Sequence, residues 1–396
     1  MRKILVPYLS VFALSIFFIS SSASTLYVGD GGYPSIQDAV DASSPGDIII
    51  IKEGFYNGTE INKSITLRGE GGVIEGDIII NADNVTIENL IVRNSYHAME
   101  VHGDNNTIKN CVVAGNSYGI KIDGNNNTIL SNKIFDNRFY GINLDFSNDN
   151  IVEENELYEN MWGMYLDHSD RNLIAGNIIK NNTEGMKIQA SYENVIKLNS
   201  IMGNDEKGIH MCCKSSENYV FMNNFMKNKM NAYVYGEKNR WDFGGRGNYW
   251  DDYNGSGEYV IYGDNIDHCP ASSPYVLNMS SKMEMVIFCP KEGERISGVV
   301  KVEGLSEVGE KVEWQVDNAS WKRANGTFFW FFSINTEKLG NGEHIIRVRS
   351  GDIFAEREIY VYNNNNKKSP DFSAVFSALV FASVVLWRYT KREEGG

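Results

Sequence analysis

The chain repeats itself with a step of about 22 residues, and that step limits its fold more than any other feature of the sequence. The segment running from Asn106 through Ile108, Cys111, Gly119 and Ile122 returns as a copy running from Asn127 through Ile129, Asn132, Gly141 and Leu144, and further copies centre on Gly163, Gly185 and Gly208. Three columns keep step through these copies. One asparagine column reads Asn89, Asn110, Asn132, Asn155, Asn177, Asn199 and Asn223. A second reads Asn94, Asn116, Asn137, Asn160, Asn182, Asn204 and Asn228. The third is a glycine column with Ala98 and Ala232 in degenerate copies and spacings of 21 to 24 residues.

Each copy holds three short runs in which apolar residues alternate with polar ones, a period of two that marks strands with one buried face. Strands repeating at this step pair with their equivalents in the next coil, ~4.8 Å away, and stack their inward Ile, Leu, Val and Met into one core. Asparagine at the bends tolerates unusual backbone angles and bonds neighbouring backbone groups, so stacked amides form ladders. Glycine opens the third strand. The expected fold is all-β: a right-handed parallel β-helix over 24–282. A leucine-rich solenoid is disfavoured, because leucine is scarce in the frame and no helical arm remains.

The ends carry a further signature. Tyr33 to Ala42 reads as a short amphipathic cap helix, and this opening resembles the helix-capped start of pectate-lyase-like β-helix proteins. Near the other end, Gly247-Asn248-Tyr249-Trp250-Asp251-Asp252-Tyr253 and later Asn265 to Pro270 resemble the coil-closing segment of NosD-like surface proteins, without most of that family's usual Asp/Gly-rich insert. The resemblance spans about 25 to 280. It implies the fold and, for NosD-like proteins, a link to copper-site assembly in nitrous oxide reductase.

The flanks speak to location. Arg2 and Lys3 precede an apolar run from Ile4 to Ile19 and the small residues Ser20 to Ser24, the layout of a signal peptide over 1–23. Ten Asn-x-Ser/Thr sequons follow, at Asn57, Asn62, Asn84, Asn105, Asn126, Asn181, Asn254, Asn278, Asn318 and Asn325, which allow a glycosylated surface. Beyond Met283 the repeat stops. Six strand-like runs over 283–362 suit a small β-sandwich resembling the Ig-like modules of surface proteins. A polar linker, 363–371, leads to an apolar segment from Phe372 to Trp387 with a basic end. The tail, 372–396, reads as a membrane span or as a sorting signal resembling archaeal tails that begin Pro-Gly-Phe, with Asp371 in place of the glycine. Both place the β-helix on the cell surface, anchored to the cytoplasmic membrane. The net charge of -14 argues against nucleic acid. Of five cysteines, Cys269 and Cys289 flank the domain junction and are candidates to pair, Cys212 and Cys213 are adjacent, and Cys111 stands alone.

Chemistry is expected on the outward positions of the third strands. Asp123, Asp145 and Asp167 stack there, with neighbours ~5 Å apart and the outer two ~10 Å apart. Those separations bracket the geometries of retaining and inverting glycosidases and make the three aspartates candidate catalytic groups for a polysaccharide hydrolase, lyase or epimerase. Lys121, Asn143, Tyr165, Lys187 and Tyr233 are candidate sugar contacts on the same face, with Trp162 and Tyr235 as stacking surfaces. The plainer reading makes the aspartates turn residues that Lys121 neutralises. Two further classes stand beside glycan binding: a soft-metal site at His210, Cys212 and Cys213, and a structural envelope or adhesion protein without chemistry. No cofactor is expected, and the expected partners are extracellular or envelope glycans.

Overall fold

The computed structural model of the chain describes residues 23–236, 238–276, 285–306, 311–326, 329–351 and 353–363. The first 22 residues of the expected signal peptide, the expected linker beyond Asn363 and the expected tail lie outside them. Among the described residues no helix is long and apolar enough to cross a membrane. The chain divides into two compact units at Met283/Glu284.

The first unit is a right-handed parallel β-solenoid in which every coil supplies three strands, each paired in parallel with its counterpart one coil away. The first column includes Thr107–Lys109, Thr128–Leu130, Ile151–Glu153 and Leu173–Ala175. The second includes Val112–Ala114, Lys133–Phe135, Glu156–Tyr158 and Ile178–Lys180. The third runs through His97–Val101, Tyr118–Ile122, Tyr140–Asp145, Trp162–Asp167, Glu184–Gln189, Lys207–Cys212 and Met230–Val234. Alternation sends Ile129, Ile134, Ile142 and Leu144, and their equivalents in other coils, into a fully buried core. The cap helix is Ile36–Ala42. Ser35 accepts a hydrogen bond from the Asp38 backbone N–H, and Ile36, Ala39 and Val40 cover the first coils.

The turns are where the coils are fastened. Asn132, Asn155, Asn177, Asn199, Asn223 and Asn248 form one ladder: each backbone N–H donates to the Oδ1 of the next asparagine at 2.9–3.1 Å, and each side-chain amide donates to that same oxygen. A second ladder runs from Asn116 to Asn228. A third, which the sequence reading missed, joins Asn106, Asn127, Asn150, Asn172, Asn194, Asn218 and Asn239. After the third strands Ser147, Ser169, Ser191 and Ser215 play the same part through their hydroxyls.

Three expected ladder members sit one position off. Asn89, Asn94 and Asn110 have φ of 58°, 55° and 55° and occupy the left-handed residue just before the ladder, in line with Ser131, Asp136 and Glu154. The ladder positions themselves hold Leu90, Ser95 and Cys111, and the N–H groups of Ser95 and Cys111 still donate to Asn116 and Asn132. Asparagine suits both positions, so residue type alone does not separate them. The glycine column stacks as expected: a Cβ on Gly119 would lie 2.1 Å from the Gly141 carbonyl oxygen, and one on Gly163 would lie 2.6 Å from that of Gly185. Close stacking, not a positive φ, demands glycine here. Ala98 lies in this column, but Ala232 pairs with Ile209 and Asn231 takes the glycine place.

The last coils are plugged by Trp241 and Trp250, both fully buried, with Phe225 stacked on Trp250 at 4.4 Å. The first ladder ends on the buried Asp267 carboxylate, which accepts from the Asn248 backbone at 2.7 Å, from Trp250 Nε1 at 2.9 Å and from the Cys269 backbone at 3.1 Å. All five cysteines are free thiols.

In the second unit Met285–Cys289, Val299–Ser306 and Phe329–Asn335 make one antiparallel sheet. Glu294–Ile296, Ile353–Val361, Gly342–Ser350, Glu313–Val316 and Lys322–Arg323 make a second. Val302, Trp330 and Phe332 from one sheet and Ile346, Val348 and Ile359 from the other belong to one buried core.

The register correction is testable. Asn177→Ala removes an acceptor for Asn155 and a donor to the Val152 carbonyl, and is expected to cost about 2–4 kcal/mol in urea unfolding. Asn110→Gly, at a left-handed position, is expected to change stability by less than about 1 kcal/mol.

Candidate functional site

The parallel register brings the outward residues of the third strands into two rows along the axis. Glu100, Lys121, Asn143, Tyr165, Lys187, His210 and Tyr233 pair in succession. Beside them, Asp145 pairs with Asp167, Asp167 with Gln189, and Gln189 with Cys212. Outward residues carry no packing duty, so their identities change from coil to coil.

The upper part of the rows is a charge cluster around Lys121. Its ammonium lies 3.4 Å from Glu100, 3.6 Å from Asp123 and 3.6 Å from Asp145. Burial alone lowers the Lys121 pKa, but Asp123, Glu100 and Asp145 outweigh it and hold the ammonium above its ordinary range. Asp123 also meets His102 Nδ1 at 2.8 Å. The three aspartates therefore do not form one uniform acidic column: Asp123 and Asp145 share a lysine, and Asp167 has partners of its own.

Those partners form the middle of the site. Asp167 accepts from the Tyr165 hydroxyl through Oδ2 at 3.2 Å and meets His168 Nδ1 through Oδ1 at 2.7 Å. Burial first, then the Asp167 charge, holds the Tyr165 hydroxyl far above the usual phenol range. The Lys187 ammonium sits 5.0 Å over the Tyr165 ring and 5.1 Å over Trp162. The His168 ring stacks on Phe146 at 4.6 Å, and Phe146 is 64% exposed. Both have positive φ, 48° and 51°, as do Ala190 and Cys213 at the same place in the next two coils. Asn143, between Lys121 and Tyr165, is only 6% exposed, and its Oδ1 has no hydrogen-bond partner.

His168 and Phe146 were not anticipated as site residues. Strand alternation stops at Asp167 and Asp145, so it does not report where the next side chain points. The available signal was an imidazole or aromatic ring directly after an outward aspartate, where other coils have Gly124 or Ala190.

At the lower end Glu184 receives Lys207 and His210 Nδ1, the latter at 3.1 Å. Tyr233 lies 5.2 Å from His210 and 5.4 Å from Tyr235. Cys212 and Cys213 bring their sulfurs to 3.2 Å. Burial, then the neighbouring Cys213, pushes the Cys212 thiol up to about 11.

The all-β solenoid with a polar face along its third strands makes this a parallel β-helix protein. Within it, the model of the family described as periplasmic copper-binding protein (NosD) matches residues 41–255, and the chain belongs to that family. No curated protein matches the chain. Among solved structures it is similar to the mannuronan C-5 epimerase AlgE6 A-module of Azotobacter vinelandii, at 17% identity and TM-score 0.44, over 50% of this chain and 64% of that one. It is also similar to the pectate lyase Pel9A, at 17% identity and TM-score 0.47, over 67% of this chain and 91% of that one. The chain spans less than two thirds of the first of these. At such values the likeness carries nothing about activity.

The family description implies copper, and the residues present do not fit it. Copper(I) favours soft donors, yet among the described residues the Cys212–Cys213 pair belongs to no group of three His, Cys, Asp or Glu ligands, His210 Nδ1 faces Glu184, and Met211 is buried in the core. Among the described residues the one group of three potential ligands is Glu100, His102 and Asp123, a set of hard oxygens and one imidazole around which Lys121 already supplies the positive charge.

The Glu184 pair gives a pH prediction. Burial raises its carboxyl, but His210 and Lys207 outweigh burial and push it down to about 2 from 4.5. A depressed carboxyl contributes stability above its unfolded pKa and loses it as pH falls through the folded one. The stability difference between the parent protein and Glu184→Gln, measured by urea unfolding, is therefore expected to be large near pH 5, where the carboxylate is ionised, and to vanish towards about pH 2.

Proposed function

We propose that the protein is exported, displayed at the cell surface and binds extracellular polysaccharide along the outward face of its third strands. Lys121, Asn143, Tyr165, Lys187 and Tyr233 contact the sugar, and the Phe146–His168 pair offers a ring face for stacking. The segment 283–362 serves as an Ig-like β-sandwich spacer, and the tail from Phe372 anchors the chain to the cytoplasmic membrane or is exchanged for an anchor.

The observation that carries this reading is Asn143. A buried amide oxygen without a donor costs about 1–3 kcal/mol, and such groups are rare enough in native proteins to call for a reason. Asn143 sits in the middle of the row, with Lys121 and Tyr165 as its strand neighbours on either side. A sugar hydroxyl becomes the missing donor once the side chains that cover Asn143 part for the ligand. The rows step at the ~4.8 Å strand spacing, which suits a polymer of repeating units lying along the axis.

The test separates stability from binding. Asn143→Leu removes the orphan acceptor, so it is expected to leave the melting temperature unchanged or raised. The same change is expected to weaken glycan binding about 10-fold, as read on a glycan array and then by calorimetry with the full chain. Phe146→Ala is expected to weaken it about 3- to 10-fold. Unchanged affinity in both variants would place the glycan elsewhere.

A further inference from the structure

We infer that Cys212 and Cys213 are a reversible redox couple: a small-molecule disulfide oxidises them to a disulfide between adjacent residues, and small thiols reopen it. The couple needs no ligand on the polar face, so it stands or falls apart from glycan binding.

The turn after the third strand brings the pair together. In three preceding coils one left-handed residue, Phe146, His168 or Ala190, leads straight into Ser147, Ser169 or Ser191. The next coil inserts Lys214 between Cys213 and Ser215. The Ser215 N–H donates to the Cys212 carbonyl at 3.1 Å, and both residues between them are left-handed, with φ of 58° at Cys213 and 70° at Lys214. That is a type I′ turn, which glycine, asparagine and aspartate favour. Cysteine and lysine at its centre make it a strained turn, and strain of this kind gathers at functional places. Here it accompanies a contact between two thiols: the sulfurs lie 3.2 Å apart, with Cys213 exposed and Cys212 half-buried. Among the described residues the pair belongs to no group of three metal ligands, but oxidation needs only the two sulfurs.

The exposed Cys213 starts the exchange. It loses its proton, and its thiolate attacks one sulfur of the donor disulfide. The donor S–S bond breaks, one donor thiolate leaves and takes up a proton, and Cys213 is left in a mixed disulfide. Burial, then the neighbouring Cys213, holds Cys212 protonated until this point, and the Lys187 ammonium favours its thiolate as the proton departs. The Cys212 sulfur then attacks that of Cys213, and the second donor thiolate leaves and is protonated. The two cysteines have lost two electrons and two protons, and the donor has become two thiols. Cys111 takes no part, because it is buried in the solenoid and burial pushes its thiol up to about 12.

The closed ring is built to reopen. Adjacent Cα atoms lie ~3.8 Å apart, short of the ~4.4–6.8 Å of ordinary disulfides, so the ring is strained and readily reduced. A loop of two residues removes little entropy from the unfolded chain, so the bond adds little stability. A bond that stabilises little and reduces readily serves as a sensor, not a staple.

The test exposes the full chain to oxidised and then reduced glutathione, with alkylation, proteolysis and mass spectrometry at each stage and urea unfolding alongside. Expected after oxidation is a peptide holding Cys212 and Cys213 that is lighter by two hydrogens and alkylated at neither, with Cys111 oxidised at least about 100-fold more slowly. Reduced glutathione is expected to restore both thiols in the folded protein, and the urea midpoint is expected to be the same in both forms. Cys213→Ser, a change at an exposed side chain, is expected to leave folding intact and abolish the loss of two hydrogens. Alkylation of both residues after oxidation, a separate glutathione adduct on each, or a bond from either to Cys269 or Cys289 would overturn the couple. A ring that reduced glutathione leaves closed, or that raises the urea midpoint, would overturn its reversibility and make the bond a structural one.

Discussion

The asparagine amide bonded to the next coil's backbone is the interaction on which this molecule depends. Parallel strands with short bends leave turn N–H and carbonyl groups facing inward, where water cannot reach them. An asparagine at each bend answers both needs at once. Its oxygen accepts an N–H of the preceding coil, and its NH2 reaches a carbonyl of that same coil and the oxygen of the next asparagine, as Asn177 does with Asn155, Val152 and Asn199. Each bond is modest alone, about 1 kcal/mol net, but chains of them polarise one another and fix the register of every strand. Because a slip by one residue would turn the isoleucine core outward, register is the fold.

That arrangement frees the third-strand face. Inward positions are held to Ile, Leu, Met and Val and bend positions to Asn or Ser, but outward positions are constrained only by solubility. They are where the coils differ most, from Lys121 to Asn143 to Tyr165 to Lys187. The parallel pairing then turns sequence variation into spatial adjacency, since residues about 22 apart in the chain become neighbours. Groups with opposite needs meet in this way: three carboxylates share Lys121, while Asp167 collects a phenol and an imidazole from within its own coil.

Most of the solenoid was legible because burial imposes period two and the coil imposes its own step. The errors came where one residue type serves two roles. Asn89, Asn94 and Asn110 look like ladder members and are left-handed turn residues, while Cys111 and Ser95 stand unremarked in the ladder. The third ladder escaped notice because Asn106, Asn127 and Asn150 adjoin other polar residues that blur the column. At the candidate site, the rows could be read from alternation, but pairing could not. Nothing in the sequence says that Lys121 turns to three acids while Lys187 lies over the Trp162 and Tyr165 rings, or that His168, beyond the strand end, folds back onto Asp167. Those are side-chain choices settled by neighbours a coil away.

Asp267 gives the stack a direction and an end. Every rung passes its N–H forward to an oxygen that also owns an amide able to pass another forward. A carboxylate receives and has nothing to pass on. With Trp241 and Trp250 closing the core beneath it, this ladder offers, among the described residues, no further rung onto which a second copy could climb. A fold made by adding like layers is a template for its own unlimited growth, and here one substitution of oxygen for nitrogen, at the foot of one ladder, helps keep a molecule from becoming a filament.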